Sequence, residues 1–264
     1  MSTPDKKKTQ KEPTLQQKIN RRNFISFSTF TVLAASAYGG WRWLYNSPQE
    51  EAGGITGGAH KPLRRALNKT ELFFRRLFSN NHLVKTYPRS RAAKNVRTNS
   101  YIGIEPSKKF DPAEWRLNVV KKGGEILKVS MEEIMALPKT EIIYDFKCVE
   151  GWDQIQHWAG VRFIDFVKHY QLDDYAKMEY VGMETPDKSY YVGLDMPSAL
   201  HPQTLLAYEM NDKPITLPHG APLRLIIPVK YGIKNLKRIG TITFSNTRPR
   251  DYWAEAGYDY YSGL

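Results

Sequence analysis

Short apolar runs, several with polar residues at alternate positions, dominate the second half of the chain. Alternation of apolar and polar residues indicates a half-buried β-strand, and a short continuous apolar run indicates a buried one. Ser130 and Glu133 form a capping box ahead of one helical pattern. Strands outnumber helices and show no strand–helix–strand rhythm, so we predict an α+β fold that is mixed and strand-rich. The predicted strands are residues 115–120, 142–146, 178–183, 190–194, 223–229 and 241–244, and the predicted helices are 131–137, 163–170 and 202–210.

The N-terminal region follows a different pattern, a basic leader and then an apolar run. The leader, residues 1–22, ends in Arg21-Arg22 and is followed by Asn23-Phe24, which resembles a twin-arginine export signal. As a helix, the apolar run 24–41 would span about 27 Å, close to the thickness of a bilayer core. A signal or membrane-anchor helix is therefore predicted at residues 23–45.

The sequence leaves two fates open for this helix. Residues 35–37, Ala-Ser-Ala, offer a cleavage site that would leave Tyr38 at the start of the mature chain. Against cleavage stands an aromatic cluster typical of a membrane interface, at Trp41, Trp43 and Tyr45. We expect an uncleaved single-pass anchor in the cytoplasmic membrane, with the following domain on the outer, periplasmic side.

Residues 46–97 are predicted to be a basic linker that begins with a Gly-rich tether. Within the linker, residues 62–78 can form an amphipathic helix whose apolar face carries Leu63, Leu67, Phe74, Leu77 and Phe78. Such a helix could lie on an anionic membrane surface or pack against the following domain, and the sequence favours neither. The globular domain is predicted to span residues 98–264.

The positive charge of the chain lies outside this predicted domain. The net charge is +12, yet residues 98–264 hold 20 Lys and Arg against 22 Asp and Glu. A nucleic-acid-binding domain would carry its basic excess on the folded part, so we exclude nucleic acid as a partner. The single cysteine, Cys148, excludes an intramolecular disulfide.

Cys148 lies where the predicted strand 142–146 gives way to a loop, a common position for a functional residue. Gly151, Trp152 and Trp158 follow closely, which indicates close backbone approach and an aromatic pocket wall. A lone cysteine is more often a small buried apolar residue, so its surroundings decide the interpretation.

The motif Cys148-Val149-Glu150-Gly151-Trp152 resembles the cofactor-binding cysteine loop of the sulfite oxidase superfamily. Its form is closest to the bacterial periplasmic branch, of the protein-methionine-sulfoxide reductase type. Two later segments, 200–205 and 219–237, match the same superfamily in order, and the resemblance covers roughly residues 98–250. It implies a sulfite-oxidase-type fold that binds a Mo-molybdopterin cofactor.

The resemblance also implies roles for individual residues. Cys148 would be the sole protein ligand of the molybdenum, Glu150 a nearby proton-handling carboxylate, and Arg224 a ligand of the cofactor phosphate. Further cofactor contacts are implied for Asn99, Tyr101, Thr185, His219, Asn235, Leu236 and Lys237. Taken singly, each side chain is more often an ordinary surface or core residue, and only the linked pattern supports these roles.

The implied activity is two-electron oxygen-atom transfer, with reduction of a sulfoxide as the expected direction. Oxidation of sulfite or another small molecule is the alternative within the family. Val149-Glu150 stands where animal and plant sulfite oxidases carry an arginine-bearing loop, which counts against sulfite. The alternative of another class is a non-catalytic, membrane-anchored envelope protein. The sequence has no haem attachment motif, so we expect a separate electron-transfer partner, a membrane cytochrome b or a quinone-linked protein.

Overall fold

The computed structural model describes residues 14–48, 60–63, 65–66, 69–70, 73, 82–99, 101–104 and 110–263. They belong to two compact units, one built on the N-terminal helix and one that contains the strands. Most of the predicted leader and ten of the seventeen residues of the predicted amphipathic helix 62–78 lie outside the described residues. Those residues of 62–78 that are described are helical.

Helix α1, Leu15–Tyr45, is the main element of the first unit. Its start is fixed by a capping box, in which the Thr14 hydroxyl accepts from the Gln17 N–H and the Gln17 side chain accepts from the Thr14 N–H. The helix therefore begins before the predicted segment 23–45 and includes the arginine pair. Among the described residues, no helix is both long enough and apolar enough to span a bilayer.

The second unit holds the strands and the remaining α-helices. Its strands are β1 Leu117–Val120, β2 Ile126–Val129, β3 Lys139–Lys147, β4 Asp153–Arg162, β5 Tyr180–Glu184, β6 Tyr191–Asp195, β7 Leu205–Met210, β8 Lys213–Pro214, β9 Arg224–Ile226 and β10 Thr241–Ser245. Its helices are α2 Met131–Met135, α3 Phe163–His169, α4 Met196–Ala199 and α5 Tyr252–Glu255. The predicted strand-rich, mixed fold is confirmed.

The strands form two five-stranded sheets. One has the order β2-β1-β10-β5-β6, and the other has the order β3-β4-β7-β8 with β9 also paired to β7. The pairing of β1 with β10 is parallel, and the other strand pairs are antiparallel. Antiparallel hairpins keep the connections short, so residues close in sequence also meet in space.

The helix predicted at 202–210 is wrong, because this segment is strand β7. It pairs with β4 on one side and with β8 and β9 on the other, and its residues from Leu205 to Tyr208 are buried. A strand buried on both faces carries a continuous apolar run, which periodicity alone cannot separate from a buried helix. Tertiary pairing decides the structure here.

The β3–β4 hairpin positions the cysteine. Its register runs without interruption from the pair Lys139–Val161 to the pair Lys147–Asp153. One face of the hairpin carries a buried cluster that continues onto β7 and β9, formed by Ile142, Tyr144, Phe146, Cys148, Trp158, Leu205, Ala207, Ile215 and Ile226. The site residue therefore sits at the end of a rigid, well-packed element.

Residues 82–99, which include a single 3₁₀ turn at Arg89–Arg91, run beside this hairpin and contact both of its strands, and we call them the edge segment. The Tyr87 N–H donates to the Ile143 carbonyl at 2.9 Å, and the Ala93 N–H donates to the Ile155 carbonyl at 2.9 Å. The part of the chain predicted to end the linker thus packs against the sheet from residue 82 onward. Its course carries the last residues of the segment toward the cysteine.

Arg89 ties the edge segment to the surface of the sheet. It forms ion pairs with Glu141 and, at 3.2 Å, with Asp212. His157 Nε2 lies 3.0 Å from the same Glu141 carboxylate. The side-chain atoms of Glu141, His157 and Asp212 are close enough to hold a metal ion, but here the guanidinium of Arg89 is the cation that pairs with both carboxylates.

Candidate active site

Cys148 begins the tight turn that joins β3 to β4. Its N–H donates to the Trp152 carbonyl at 2.9 Å, and its own carbonyl accepts from the Gly151 N–H at 3.1 Å. Gly151 has a φ of +82°, in the left-handed region that glycine adopts without the steric cost borne by other residues. The predicted position of the cysteine at a strand end is confirmed.

Trp152 orients the carboxylate of Glu150. Its indole Nε1 donates to Glu150 Oε2 at 2.8 Å. The indole stacks on the ring of Phe146 with centroids 5.8 Å apart, and the Arg97 guanidinium lies 4.5 Å from the centroid of the indole ring. The turn, the strand and the edge segment therefore hold the acid in one place beside the cysteine.

The side chain of Cys148 is 6% exposed and lines a cavity of about 100 Å³. Segments far apart in sequence meet there: the cysteine turn, the end of the edge segment, the loop before β10 and the C-terminal region. Of the predicted site residues, the cavity brings together Asn99, Cys148, Glu150, Asn235 and Lys237. The other lining residues are Ile102, Val149, Tyr190, Gly232, Ile233, Trp253 and Tyr258.

Burial raises the pKa of the Cys148 thiol, and the charge of Glu150 adds to this effect. The N–H groups of Glu150 and Val149 and the charge of Arg97 oppose it, without reversing the shift. The residue is therefore a protonated thiol while the cavity holds no cation. A metal ion would displace that proton, because metals bind the thiolate.

Lys237 lies on the cavity wall, and its Nζ donates to the backbone carbonyl of Asn99. Burial lowers the pKa of Lys237 to about 7, and the charge of Arg224 pushes it in the same direction. Cys148 and Glu150 oppose that shift. A lysine that titrates near neutral pH can neutralise a bound anion or carry a proton.

Asn235 and Leu236 fix the course of the chain that leads to Lys237. Asn235 Oδ1 accepts from the Ile227 N–H at 2.8 Å, and its Nδ2 donates to the Tyr231 carbonyl at 3.1 Å. Leu236 is fully buried in the main core, and its carbonyl accepts from a β9 N–H at 2.9 Å. The Asn235 side chain is thus hydrogen-bonded within the loop, and the Leu236 side chain packs in the core.

Arg224 is a buried cation behind the cavity wall, with 1% of its surface exposed. Nη1 donates to the His219 carbonyl at 3.1 Å, Nη2 donates to the Asn235 carbonyl at 3.4 Å, and the guanidinium lies 4.5 Å from the centroid of the Trp158 ring. Burial lowers the pKa of Arg224 to about 10. Its Nε has no hydrogen-bond partner among the described residues. A buried, incompletely paired guanidinium is suited to binding an anion.

His219 is bound to the edge segment. The Thr216 hydroxyl lies 2.8 Å from Nδ1, and Nε2 lies 3.2 Å from the Val96 carbonyl. Because a carbonyl only accepts, Nε2 carries the proton and Nδ1 accepts from Thr216. Burial lowers the pKa of His219, in keeping with a neutral ring. The side chain does not line the cavity described above.

Thr185 and Tyr101 also lie off the cavity wall. The Thr185 hydroxyl donates to Asp187 Oδ1 at 2.6 Å and accepts from the Tyr190 N–H at 3.2 Å, so it supports a lining residue from behind. Tyr101 is 57% exposed. The roles of both residues toward the cofactor stay predictions.

Sequence reasoning missed three aromatic residues of the wall, Tyr190, Trp253 and Tyr258. The Tyr190 hydroxyl donates to the Ile233 carbonyl at 2.5 Å, and the Trp253 and Tyr258 rings meet edge-on with centroids 5.2 Å apart. The available signal was the concentration of Tyr and Trp in the last fifteen residues of the chain.

The domain family described as oxidoreductase molybdopterin binding domain matches residues 104–253, more than half of the chain. The chain belongs to this family. A candidate protein-methionine-sulfoxide reductase subunit, YedZ1 of Azospira oryzae, is 35% identical over 71% of this chain and 70% of that protein.

Catalytic subunits of protein-methionine-sulfoxide reductase, MsrP, are also similar to this molybdopterin-binding chain. Those of Campylobacter jejuni and Xanthomonas axonopodis are 33% and 32% identical over 61% of this chain. The chain spans 60% and 56% of these two relatives. The sulfane dehydrogenase SoxCD of Paracoccus pantotrophus aligns over 54% of this chain and 41% of that chain, at 16% identity and a TM-score of 0.46.

This molybdopterin oxidoreductase has residues that fit the cofactor of its family. Cys148 offers a soft sulfur ligand for molybdenum. The unpaired Nε of Arg224 and the ammonium of Lys237 offer donors for the anionic phosphate. The predicted cofactor and the resemblance to molybdopterin oxidoreductases of the protein-methionine-sulfoxide reductase type are confirmed, and the non-catalytic alternative is set aside.

Proposed function

We propose that this enzyme reduces a sulfoxide, with methionine sulfoxide in proteins as the substrate class. The observation that carries the proposal is the cavity in which Cys148 meets a carboxylate, Glu150, an amine, Lys237, and an aromatic wall. The names of the relatives, protein-methionine-sulfoxide reductase subunits from separate organisms, support this substrate. Sulfite is disfavoured, because Val149-Glu150 follows the cysteine and the acid repels an anion.

Reduction of a sulfoxide to a thioether takes two electrons and two protons and releases water. The molybdenum centre, when bound, supplies the two-electron oxygen-atom transfer. The protons must come from the chain or from solvent. Lys237, whose pKa is about 7, is the side chain that we assign as the proton donor, and the carboxylate of Glu150, oriented by Trp152, is the group that we assign to passing protons in from solvent.

The apolar part of the wall suits the rest of such a substrate. Trp253 and Tyr258 present ring surface to the cavity, and Ile102 and Val149 add aliphatic surface. A thioether sulfur makes favourable contacts with aromatic rings, and the product of the reaction is a thioether. Tyr258 is 42% exposed, so we place the entrance of the substrate on its side of the cavity.

We further propose that α1 directs the domain to the outer side of the cytoplasmic membrane. The support is the basic leader, the Arg21-Arg22 pair and the aromatic cluster after the apolar run. A membrane cytochrome b or quinone-linked protein would then supply electrons, and tethering would raise the effective concentration of the two partners. Mass spectrometry of the mature N-terminus tests this proposal. An intact N-terminus in the membrane fraction supports an anchor, and Tyr38 as the first residue contradicts it.

The substrate proposal is tested with purified full-length enzyme, loaded with cofactor and supplied with electrons by a reduced viologen dye. We expect turnover of methionine sulfoxide in a peptide and no comparable oxidation of sulfite with an artificial acceptor. Glu150→Gln should lower kcat by about 10²-fold or more with an unchanged pterin content, whereas the exposed Glu114→Gln should not. Sulfite oxidation without sulfoxide reduction would overturn the proposal.

A further inference from the structure

Tyr144 is a buried tyrosine that has no part in the site as described so far. Its side chain is 1% exposed, and its hydroxyl has no hydrogen-bond partner in the described part of the chain. Buried polar groups nearly always have a partner, and a group that binds there is one physical explanation of an exception. Phenylalanine would fill the same space without an unpaired hydroxyl.

The sheet places Tyr144 on the same face as Arg224. Tyr144 on β3 and Trp158 on β4 belong to one buried cluster, and the Ile142–Trp158 pair lies one step along that face. Ala207 on β7 belongs to the same cluster and pairs with Arg224 on β9. The guanidinium of Arg224 reaches back over the Trp158 ring at 4.5 Å from its centroid. Tyr144 and Arg224 therefore lie on one face of the sheet, and the Arg224 side chain reaches back far enough for its charge to act on Tyr144.

Each of these two residues carries one fully buried donor that finds no partner among the described residues, the Tyr144 hydroxyl and Arg224 Nε. Burial raises the pKa of Tyr144, and the charge of Arg224 opposes that rise only in part. The tyrosine thus keeps its proton at neutral pH and can donate a hydrogen bond. A second cation, Lys237, lies beside Arg224, because the two residues form an isolated antiparallel β-bridge.

We propose that Tyr144 Oη and Arg224 Nε bind one phosphate monoester anion, the terminal group of the molybdopterin, and that Tyr144 is therefore a cofactor-binding residue. A phosphate presents three acceptor oxygens, so it can satisfy both donors at once. The positive guanidinium supplies the charge, and the neutral hydroxyl fixes the orientation of the phosphate. The inference depends on the family's cofactor and is independent of which substrate is reduced.

The test compares the wild-type holoenzyme with Tyr144→Phe and with Tyr208→Phe. Tyr208 is a matched control, because it is a buried tyrosine on β7 that faces the main core instead of the Trp158 cluster. Pterin and molybdenum per chain are measured over time during dialysis. We expect Tyr144→Phe to lose pterin about tenfold faster than wild type, the effect of one hydrogen bond to a charged group. Tyr208→Phe should stay within about twofold.

A second arm uses the cofactor-free chain and inorganic phosphate. Phosphate should raise the Tm of the wild-type chain, and Tyr144→Phe should need about tenfold more phosphate for the same rise. Without phosphate, the variant should melt no lower than wild type, because it loses an unpaired hydroxyl. Equal pterin loss from Tyr144→Phe and wild type would overturn the inference, as would equal loss from both variants. If Tyr144→Phe weakens the rise of Tm with phosphate but does not speed the loss of pterin, Tyr144 and Arg224 bind free phosphate, and the cofactor role is overturned. Neither arm uses a sulfoxide, so the result is independent of the proposed function.

Discussion

The buried ion pair between Lys234 and Asp251 joins two walls of the cavity, and its removal gives a quantitative test of how the site is held. Lys234 precedes Asn235 and Lys237 in the loop, and Asp251 caps α5, which carries Trp253. The side chains of Lys234 and Asp251 are 1% and 2% exposed. We therefore expect Lys234→Met to destabilise the domain and to lower its cofactor content.

The size of the stability loss in Lys234→Met follows from the hydrogen-bond partners that Asp251 keeps. Without the lysine, Asp251 keeps the N–H groups of Gly193 and Ala254, each at 3.0 Å. The Gly193 carbonyl, 3.0 Å from Lys234 Nζ, loses that donor. Breaking a buried pair costs about 3–5 kcal/mol. Two surviving donors place the expected loss near the low end, about 3 kcal/mol.

Urea unfolding of the cofactor-free chain, followed by circular dichroism, measures this loss. The double variant Lys234→Met with Asp251→Asn should recover about 1 kcal/mol or more, since no buried charge is left unpaired. Lys177→Met is the control, because the side chains of its pair with Asp174 are 76% and 87% exposed, so its loss should change the free energy of unfolding little. A loss for Lys234→Met no larger than that of Lys177→Met would refute the reasoning.

Further predictions concern packing, substrate contact and titration. A Cβ at Gly160 would lie 2.0 Å from the Leu206 carbonyl oxygen. Gly160→Ala should therefore lower the free energy of unfolding, measured in urea, by about 2 kcal/mol or more. Gly39→Ala should not, because a Cβ at Gly39 would meet no atom within 4 Å. Trp253→Ala should raise the KM for methionine sulfoxide about tenfold with unchanged pterin content, and a lower pterin content would contradict a substrate role. The lowered pKa of Lys237 means that the unfolded chain binds a proton which the folded chain lacks between about pH 7 and 10.5. Stability of the cofactor-free chain should therefore rise with pH over that range, and Lys237→Met should remove this rise in chemical unfolding.

The cysteine turn could be predicted because its determinants are local. A β-favouring run ends at Lys147, and Gly151 supplies the left-handed residue that the turn requires. The strand at 205–210 could not be predicted from the sequence, because pairing with strands on both sides determines it and its periodicity does not. The edge segment has a basic, irregular composition, and its packing depends on backbone hydrogen bonds that composition does not reveal.

The aromatic wall of the cavity depends on contacts between distant parts of the chain. Tyr190 follows a short loop after β5, whereas Trp253 and Tyr258 come from the C-terminal region. Neither set has a motif that sequence spacing can detect. The resemblance to the superfamily supplied Cys148 and the cationic residues, and the fold was needed to show which of them share a cavity.

Molybdenum and pterin content per chain test the central claim most directly. The protein is made in a molybdopterin-competent host, and both quantities are measured for wild type and for Cys148→Ser by elemental mass spectrometry and pterin fluorescence. We predict about one molybdenum and one pterin per wild-type chain, and a loss of molybdenum with residual pterin in the variant, because serine lacks the soft sulfur ligand. A well-folded wild-type chain without molybdenum and pterin would contradict the assignment of this cavity as the cofactor site.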